Sequence, residues 1–142
     1  MPTEREIIET CACNKVRAAA RSVTSAYDDA LRPVGLRATQ FAVLAAVGAD
    51  GSVSITALAQ LLGMDRSTLS RNLGPLEKAG LVRIGGEGWR RSRTLEITKK
   101  GRSQFDKAVP LWERAQQSLR RRLGDRDWAN VRDTLDRLVD AK

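Results

Sequence analysis

Six polar or basic side chains in one short segment could form hydrogen bonds with DNA. They are Arg66, Ser67, Thr68, Ser70, Arg71 and Asn72. Arginine can pair with guanine through two hydrogen bonds, and asparagine can pair with adenine in the same way. Serine and threonine hydroxyls at such positions mostly bind phosphates. The composition is typical of a helix that reads bases in the major groove, although the solvated face of an ordinary amphipathic helix has a similar composition.

A second basic cluster follows a glycine-rich stretch, Gly85 to Gly88, and consists of Arg90, Arg91 and Arg93. Guanidinium groups so close together repel one another unless a polyanion binds them. Arginines on a hairpin arm suit the narrow minor groove, where negative potential is concentrated. The two clusters together favour double-stranded DNA as the partner. The alternative is a protein-interaction module whose arginines bind an acidic surface and whose DNA affinity is non-specific.

Cys11 and Cys13 are candidates for redox chemistry. On one continuous helix they would point about 200° apart, so we expect no disulfide between them and any bridge to be intermolecular. Arg17 would lie on the same face as Cys13 and favour its thiolate form. Two alternatives stay open, namely small residues that pack a dimer interface and a metal sensor.

The overall composition narrows the class of protein. The chain has 142 residues, which fits a single domain, and a net charge of +8, which points to a polyanionic partner. Histidine is absent, which removes the usual general base and a common metal ligand. We therefore expect no enzyme, no cofactor and no metal. With two cysteines and no long apolar stretch, a cytoplasmic protein that does not bind membranes is expected.

The two clusters need a compact lobe to position them. Turn and cap residues predict a helix from Ala38 to Val47, a short strand at Val53, and a helix that Ser54 caps and Gly63 ends. A helix capped by Asp65 follows and continues to about Ala79, with Leu69, Leu73 and Leu76 facing the core. Two strands, 81–84 and 93–98, complete the pattern of a winged helix-turn-helix, whose second helix enters the major groove.

Longer helices flank this lobe. Apolar residues at spacings of three and four predict one helix from Glu4 to Arg32, stopped by Pro33. Another is expected from Thr98 to Leu123, bent at Pro110, and a last one after Gly124. These stripes would expose a large apolar surface unless a second copy covered it. The alternative is that the terminal helices pack only on one another within one chain. The predicted fold class is mainly α with a small β-wing, in a homodimer.

Several segments resemble the MarR family of bacterial transcription regulators, in the order and spacing of that family: 36–41, 55–59, 65–73, 76–82 and 95–101. The resemblance implies terminal dimerisation helices (1–35 and 100–142) around a winged helix-turn-helix lobe (36–99). It also implies a repressor of a pseudo-palindromic operator that is released by a small molecule or by oxidation. The family's wing arginine corresponds to Arg91, but Trp89 stands where the family often has an aspartate. The resemblance further implies an effector cleft, for which Leu44, Val47 and Trp112 are candidate lining residues, although packing of the core explains them equally well.

Overall fold

The computed structural model describes residues 1–85 and 93–140. Within these residues, seven α-helices and three strands follow one another: α1 (Glu4–Thr10), α2 (Ala12–Leu31), α3 (Ala38–Asp50), β1 (Ser52–Ser54), α4 (Ile55–Leu62), α5 (Arg66–Lys78), β2 (Val82–Gly85), β3 (Thr94–Ile97), α6 (Lys99–Leu123) and α7 (Asp125–Asp140). This is the mainly helical fold with a small sheet that the sequence predicts.

The prediction of one continuous helix from Glu4 to Arg32 is wrong, because the helix is interrupted at Cys11. The backbone of Cys11 is extended (φ −62°, ψ 115°), and its N–H donates to the Ile7 carbonyl, which ends α1. The Thr10 hydroxyl donates to the Glu6 carbonyl at 2.6 Å, a contact that competes with the helical bonds and often bends helices. The 200° separation of Cys11 and Cys13 assumed a continuous helix, so that geometric argument against a disulfide between them does not apply.

The helix-turn-helix starts and ends at the predicted caps. The Ser54 hydroxyl accepts a hydrogen bond from the Ala57 N–H, and Asp65 accepts one from the Thr68 N–H. Gly63 adopts the left-handed conformation (φ 62°) between α4 and α5, which glycine reaches without steric cost. Helix α5 continues through Pro75, and α6 continues through Pro110.

The three strands form one antiparallel sheet in the order β1-β3-β2. Val53 pairs with Leu95, so the short strand predicted at Val53 joins the two wing strands. On the other side of β3, Arg83 pairs with Glu96, and their side chains form an exposed ion pair at 3.2 Å. The sheet thereby attaches the base of the wing to the lobe.

One hydrophobic core holds the lobe together. It includes Leu44, Val47, Leu58, Leu69 and Leu95, all fully buried. Phe41 and Phe105 stack with ring centroids 5.0 Å apart, so α3 and α6 pack directly together. Aromatic stacking of this kind stabilises the contact beyond simple burial.

The terminal helices present an apolar surface to solvent. Every residue of α1 and α7 is exposed or half-buried, and Ile8, Leu138 and Val139 keep 66%, 52% and 79% of their surface exposed. An open apolar groove of about 710 Å³ separates the start of α2 from the end of α7. Within residues 1–85 and 93–140, no helix is both long enough and apolar enough to cross a membrane.

Candidate nucleic-acid interface

Helix α5 has two distinct faces. Leu69, Leu73 and Leu76 are buried in the core, as predicted for the apolar side. The opposite face presents four of the six predicted contact residues as exposed side chains: Arg66, Ser67, Ser70 and Arg71. A helix buried on one side and lined by hydrogen-bonding groups on the other has the surface that major-groove recognition needs.

Asp65 organises the first turn of this helix. Its Oδ1 accepts hydrogen bonds from the Thr68 N–H at 2.7 Å and from the Ser67 hydroxyl at 2.8 Å. These bonds, that of the Thr68 backbone foremost, lower the pKa of Asp65 from 3.8 to about 2, because they stabilise the charged form. The carboxylate therefore keeps the start of α5 in a fixed conformation at neutral pH.

Arg71 extends from the middle of the exposed face. Its Nη2 lies 3.5 Å from the Thr68 Oγ1, which is long for a hydrogen bond. Such a loosely held guanidinium can reorient toward a base at little cost. Thr68 itself is half-buried and combines a backbone contact to Asp65 with this side-chain contact.

Asn72 differs from its five neighbours because both atoms of its amide already have partners in the protein. Its Nδ2 donates to the Thr68 carbonyl at 2.9 Å, and its Oδ1 accepts from the Thr39 hydroxyl at 3.0 Å. The sequence interpretation of Asn72 as a reader of adenine did not anticipate Thr39, which is 33 residues away. The composition of α5 gave no signal for this contact.

Of the three predicted wing arginines, the structure describes Arg93, which is exposed and lies immediately before β3. Its carbonyl accepts a hydrogen bond from the Ile55 N–H at 3.1 Å, which links the base of the wing to α4. Arg90, Arg91 and Trp89 lie outside the described residues. The part of the wing that begins at Arg93 is therefore attached to the lobe that contains α5.

An apolar cleft of about 560 Å³ lies where α2, α3, α4 and α6 meet. Four of its ten lining residues are alanines of α3, with Phe41 and Trp112 as aromatic surfaces and Leu61 beside them. Tyr27 also lines it, but its hydroxyl donates to Gln116, and burial raises the pKa of that hydroxyl. Its lining in the described part of the chain contains no charged side chain.

Of the three candidate lining residues, Trp112 lines this cleft and Leu44 and Val47 do not. Both of these are fully buried in the core. The alanines at 38, 42, 45 and 46 are the signal that sequence reasoning missed. Their small side chains leave space beside α3 that larger residues would fill.

The two cysteines have different surroundings. Cys13 is exposed, lines the groove between α2 and α7, and accepts a 3.8 Å contact from Arg17 Nη2, as the spacing predicted. Cys11 is half-buried at the break between α1 and α2. Among residues 1–85 and 93–140, no three His, Cys, Asp or Glu side chains lie close enough together to hold a metal ion.

Comparison with known proteins identifies relatives of the whole chain. The model of the MarR family matches residues 34–92. The M. tuberculosis transcriptional regulator MosR is 39% identical, with a TM-score of 0.84, and the similarity covers 94% of this chain and 96% of that chain. A structure of MosR in complex with DNA is 41% identical, with a TM-score of 0.83 and coverage of 92% and 95%.

More distant structures share the fold. CouR from Rhodococcus jostii RHA1, bound to p-coumaroyl-CoA, is 24% identical, with a TM-score of 0.78 and coverage of 93% of this chain and 94% of that chain. No curated protein sequence matches the chain. Because MosR is similar over nearly the full length of both chains, and the family model matches the lobe, this chain belongs to the MarR family of transcriptional regulators.

Proposed function

We propose that the protein is a homodimeric, sequence-specific DNA-binding repressor that recognises a pseudo-palindromic operator. The observation that carries this proposal is the exposed polar and basic face of α5, whose opposite face is buried in the core. The complex of MosR with DNA supports it, because MosR is 41% identical to this chain. We propose no catalytic role, and a cytoplasmic location follows from binding to chromosomal DNA.

The side chains of α5 would divide into two roles. Arg66 and Arg71 are long enough to reach base edges in the major groove, where arginine prefers guanine. The hydroxyls of Thr68 and Ser70 would bind phosphates and fix the register, as would that of Ser67 once it turns away from Asp65 Oδ1, to which it donates. The wing arginines Arg90, Arg91 and Arg93 would contribute minor-groove and phosphate contacts, which add affinity with less dependence on sequence.

The apolar terminal helices support a division of the chain into a dimerisation unit, 1–35 with 100–142, and a reading lobe, 36–99. A second copy would cover the exposed apolar residues of α1 and α7 and the groove between α2 and α7. A two-fold symmetric dimer would also place two α5 helices about one DNA turn, roughly 34 Å, apart. Dimerisation is therefore needed for recognition of a two-part operator.

The apolar cleft beside α3 would receive a small-molecule effector. Its aromatic and alanine walls and uncharged lining favour a flat, uncharged aromatic ligand, because a buried carboxylate would lack a partner. Titration calorimetry with 1-naphthol and 1-naphthoate tests this choice. We expect 1-naphthol to bind more tightly, and Ala42→Leu to abolish binding while Ala57→Leu, on an exposed part of α4, leaves it unchanged. Preferential binding of the carboxylate would contradict the proposal.

Oxidation of Cys13 is a second proposed route of regulation, supported by its exposure and its contact with Arg17. Peroxides oxidise cysteines in the thiolate form, and the Cys13 side chain is open to solvent. The thiolate would take one oxygen from a hydroperoxide and become a sulfenate, while the peroxide is reduced to an alcohol. A polar oxygen in the apolar groove between α2 and α7 would then disturb the dimer contacts.

Fluorescence anisotropy of a labelled duplex tests the proposed function. The duplex is the tightest sequence that the protein selects from a random pool, and it is titrated at about 0.15 M salt with a scrambled duplex as competitor. We expect binding of two protomers per duplex that survives a large excess of the scrambled competitor. Equal competition by both duplexes would favour the alternative, a protein-interaction module with only electrostatic affinity for DNA.

A further inference from the structure

Asn72 is attached to two helices at once. Its Nδ2 donates to the Thr68 carbonyl within α5, and its Oδ1 accepts from the Thr39 hydroxyl at the start of α3. The reversed amide would place its oxygen against the Thr68 carbonyl oxygen, so this carbonyl selects the orientation, while the Thr39 hydroxyl can pair with either atom. Because the side chain is half-buried and both amide atoms are engaged, Asn72 is held between the two helices.

The first turn of α3 is held from its other side by α2. Asp28 Oδ1 accepts a hydrogen bond from the Ala38 N–H at 2.7 Å. A carboxylate at this position satisfies an unpaired donor of the helix start and interacts favourably with its partial positive charge. Since Ala38 and Thr39 are consecutive, a single helical turn connects α2 to α5.

We propose that Asp28, Thr39 and Asn72 are positioning residues that set the orientation of α5 relative to α2. This inference rests on the proposed function, because it assumes that α5 reads DNA and α2 belongs to the dimerisation unit. In such a dimer, the separation of the two reading helices depends on how each α5 is attached to its α2. A half-site spacing of about 34 Å tolerates little error in that attachment.

The same turn borders the apolar cleft. Ala38 lines the cleft, and its N–H is the group that Asp28 binds. A ligand in the cleft would therefore contact the turn that connects α2 to α5. Because a ligand shifts a conformational equilibrium only through contacts that differ between states, this turn is where cleft occupancy would change the position of α5.

Thr39→Val tests the connection with little change in side-chain shape. We expect affinity for the selected duplex to fall about 3- to 10-fold, as for one lost hydrogen bond. Affinity for a scrambled duplex should stay the same, because it depends on phosphate contacts. Thr24→Val, at an exposed position of α2, is the matched control and should bind like the wild type.

A double-mutant cycle separates positioning from base reading. Thr39→Val combined with Asn72→Ala should bind no more weakly than Asn72→Ala alone, since both changes remove the same bond. Asp28→Ala should reduce affinity similarly, and Asp28→Asn, which keeps an acceptor oxygen, should restore most of it. Inserting one base pair between the half-sites should also reduce the affinity of Thr39→Val by a smaller factor than it reduces that of the wild type. A general loss of stability would not change this factor.

The possible results separate this inference from the proposed function. If Thr39→Val binds the selected duplex like the wild type while Asn72→Ala binds it weakly, Asn72 is a base reader and the inference alone is overturned. Additive losses in the double mutant would overturn it as well. If the wild-type protein selects no duplex at all, the proposed function fails and the inference fails with it.

Discussion

Replacing Gly101 with alanine tests how α6 is joined to the reading lobe. A Cβ atom at this position would overlap the Leu81 carbonyl oxygen and lie 2.9 Å from Ile97 Cγ1. The oxygen belongs to the backbone, so no side-chain rotation can relieve the overlap. The first turn of α6 would therefore have to move away from Leu81. Two hydrogen bonds from Thr98 oppose this movement: its N–H donates to the Leu81 carbonyl at 3.1 Å, and its hydroxyl donates to the Gly80 carbonyl at 2.6 Å.

The expected cost combines three contributions. The overpacked contact costs about 1–3 kcal/mol, and the two strained hydrogen bonds are worth about 0.5–1.5 kcal/mol each. The higher helix propensity of alanine offsets about 1 kcal/mol of this cost. We therefore expect Gly101→Ala to lower the free energy of unfolding by about 3 kcal/mol.

The assay is urea unfolding followed by circular dichroism at one fixed protomer concentration, since the stability of a dimer depends on concentration. Gly74→Ala is the matched control, because Gly74 is also helical and a Cβ there meets no atom within 4 Å. That change should raise the free energy of unfolding by about 0.5–1 kcal/mol. Wild-type or greater stability in Gly101→Ala would refute the steric reasoning.

The remaining predictions concern DNA binding, pH and oxidation. Arg71→Ala should weaken binding to the selected duplex by about 1–3 kcal/mol and relax sequence preference, whereas Arg93→Ala should lower affinity for selected and scrambled duplexes alike. Anisotropy titrations compare the two, and equal losses on both duplexes for Arg71→Ala would contradict base reading. Because the pKa of folded Asp65, about 2, lies below its ordinary value of 3.8, its charged form stabilises the fold above about pH 4, and this contribution is lost as the pH falls toward 2. The wild type should thus lose more stability over that range than Asp65→Asn, and parallel acid-unfolding curves would argue against this. Treatment with a hydroperoxide should reduce the DNA affinity of the wild type but not that of Cys13→Ser; the same response in both proteins would exclude Cys13 as the sensor.

The fold was largely predictable because its signals are local. Ser54, Gly63, Asp65 and Thr98 mark helix ends through bonds to residues at most four positions away, and such bonds follow directly from residue type. The apolar periodicity of α5 correctly placed its leucines in the core, and thereby placed its arginines on the opposite face. For these elements, the order of residues was sufficient.

Two features that the sequence did not reveal depend on contacts between distant parts of the chain, and a third is local. The amide of Asn72 is engaged by Thr39, 33 residues away, and the space beside α3 exists only because four helices bring small side chains together. The break at Cys11 separates two segments whose apolar spacing alone predicted one helix.

Residue types and their spacing therefore determined which helix presents arginines and hydroxyls to a partner, since a periodic pattern assigns each side chain to a face. The packing of α2, α3 and α5 decided which of those side chains are available and which are held in place. A face can be assigned from neighbours within one turn. Whether a polar atom already has a partner depends on helices that meet only in the folded chain.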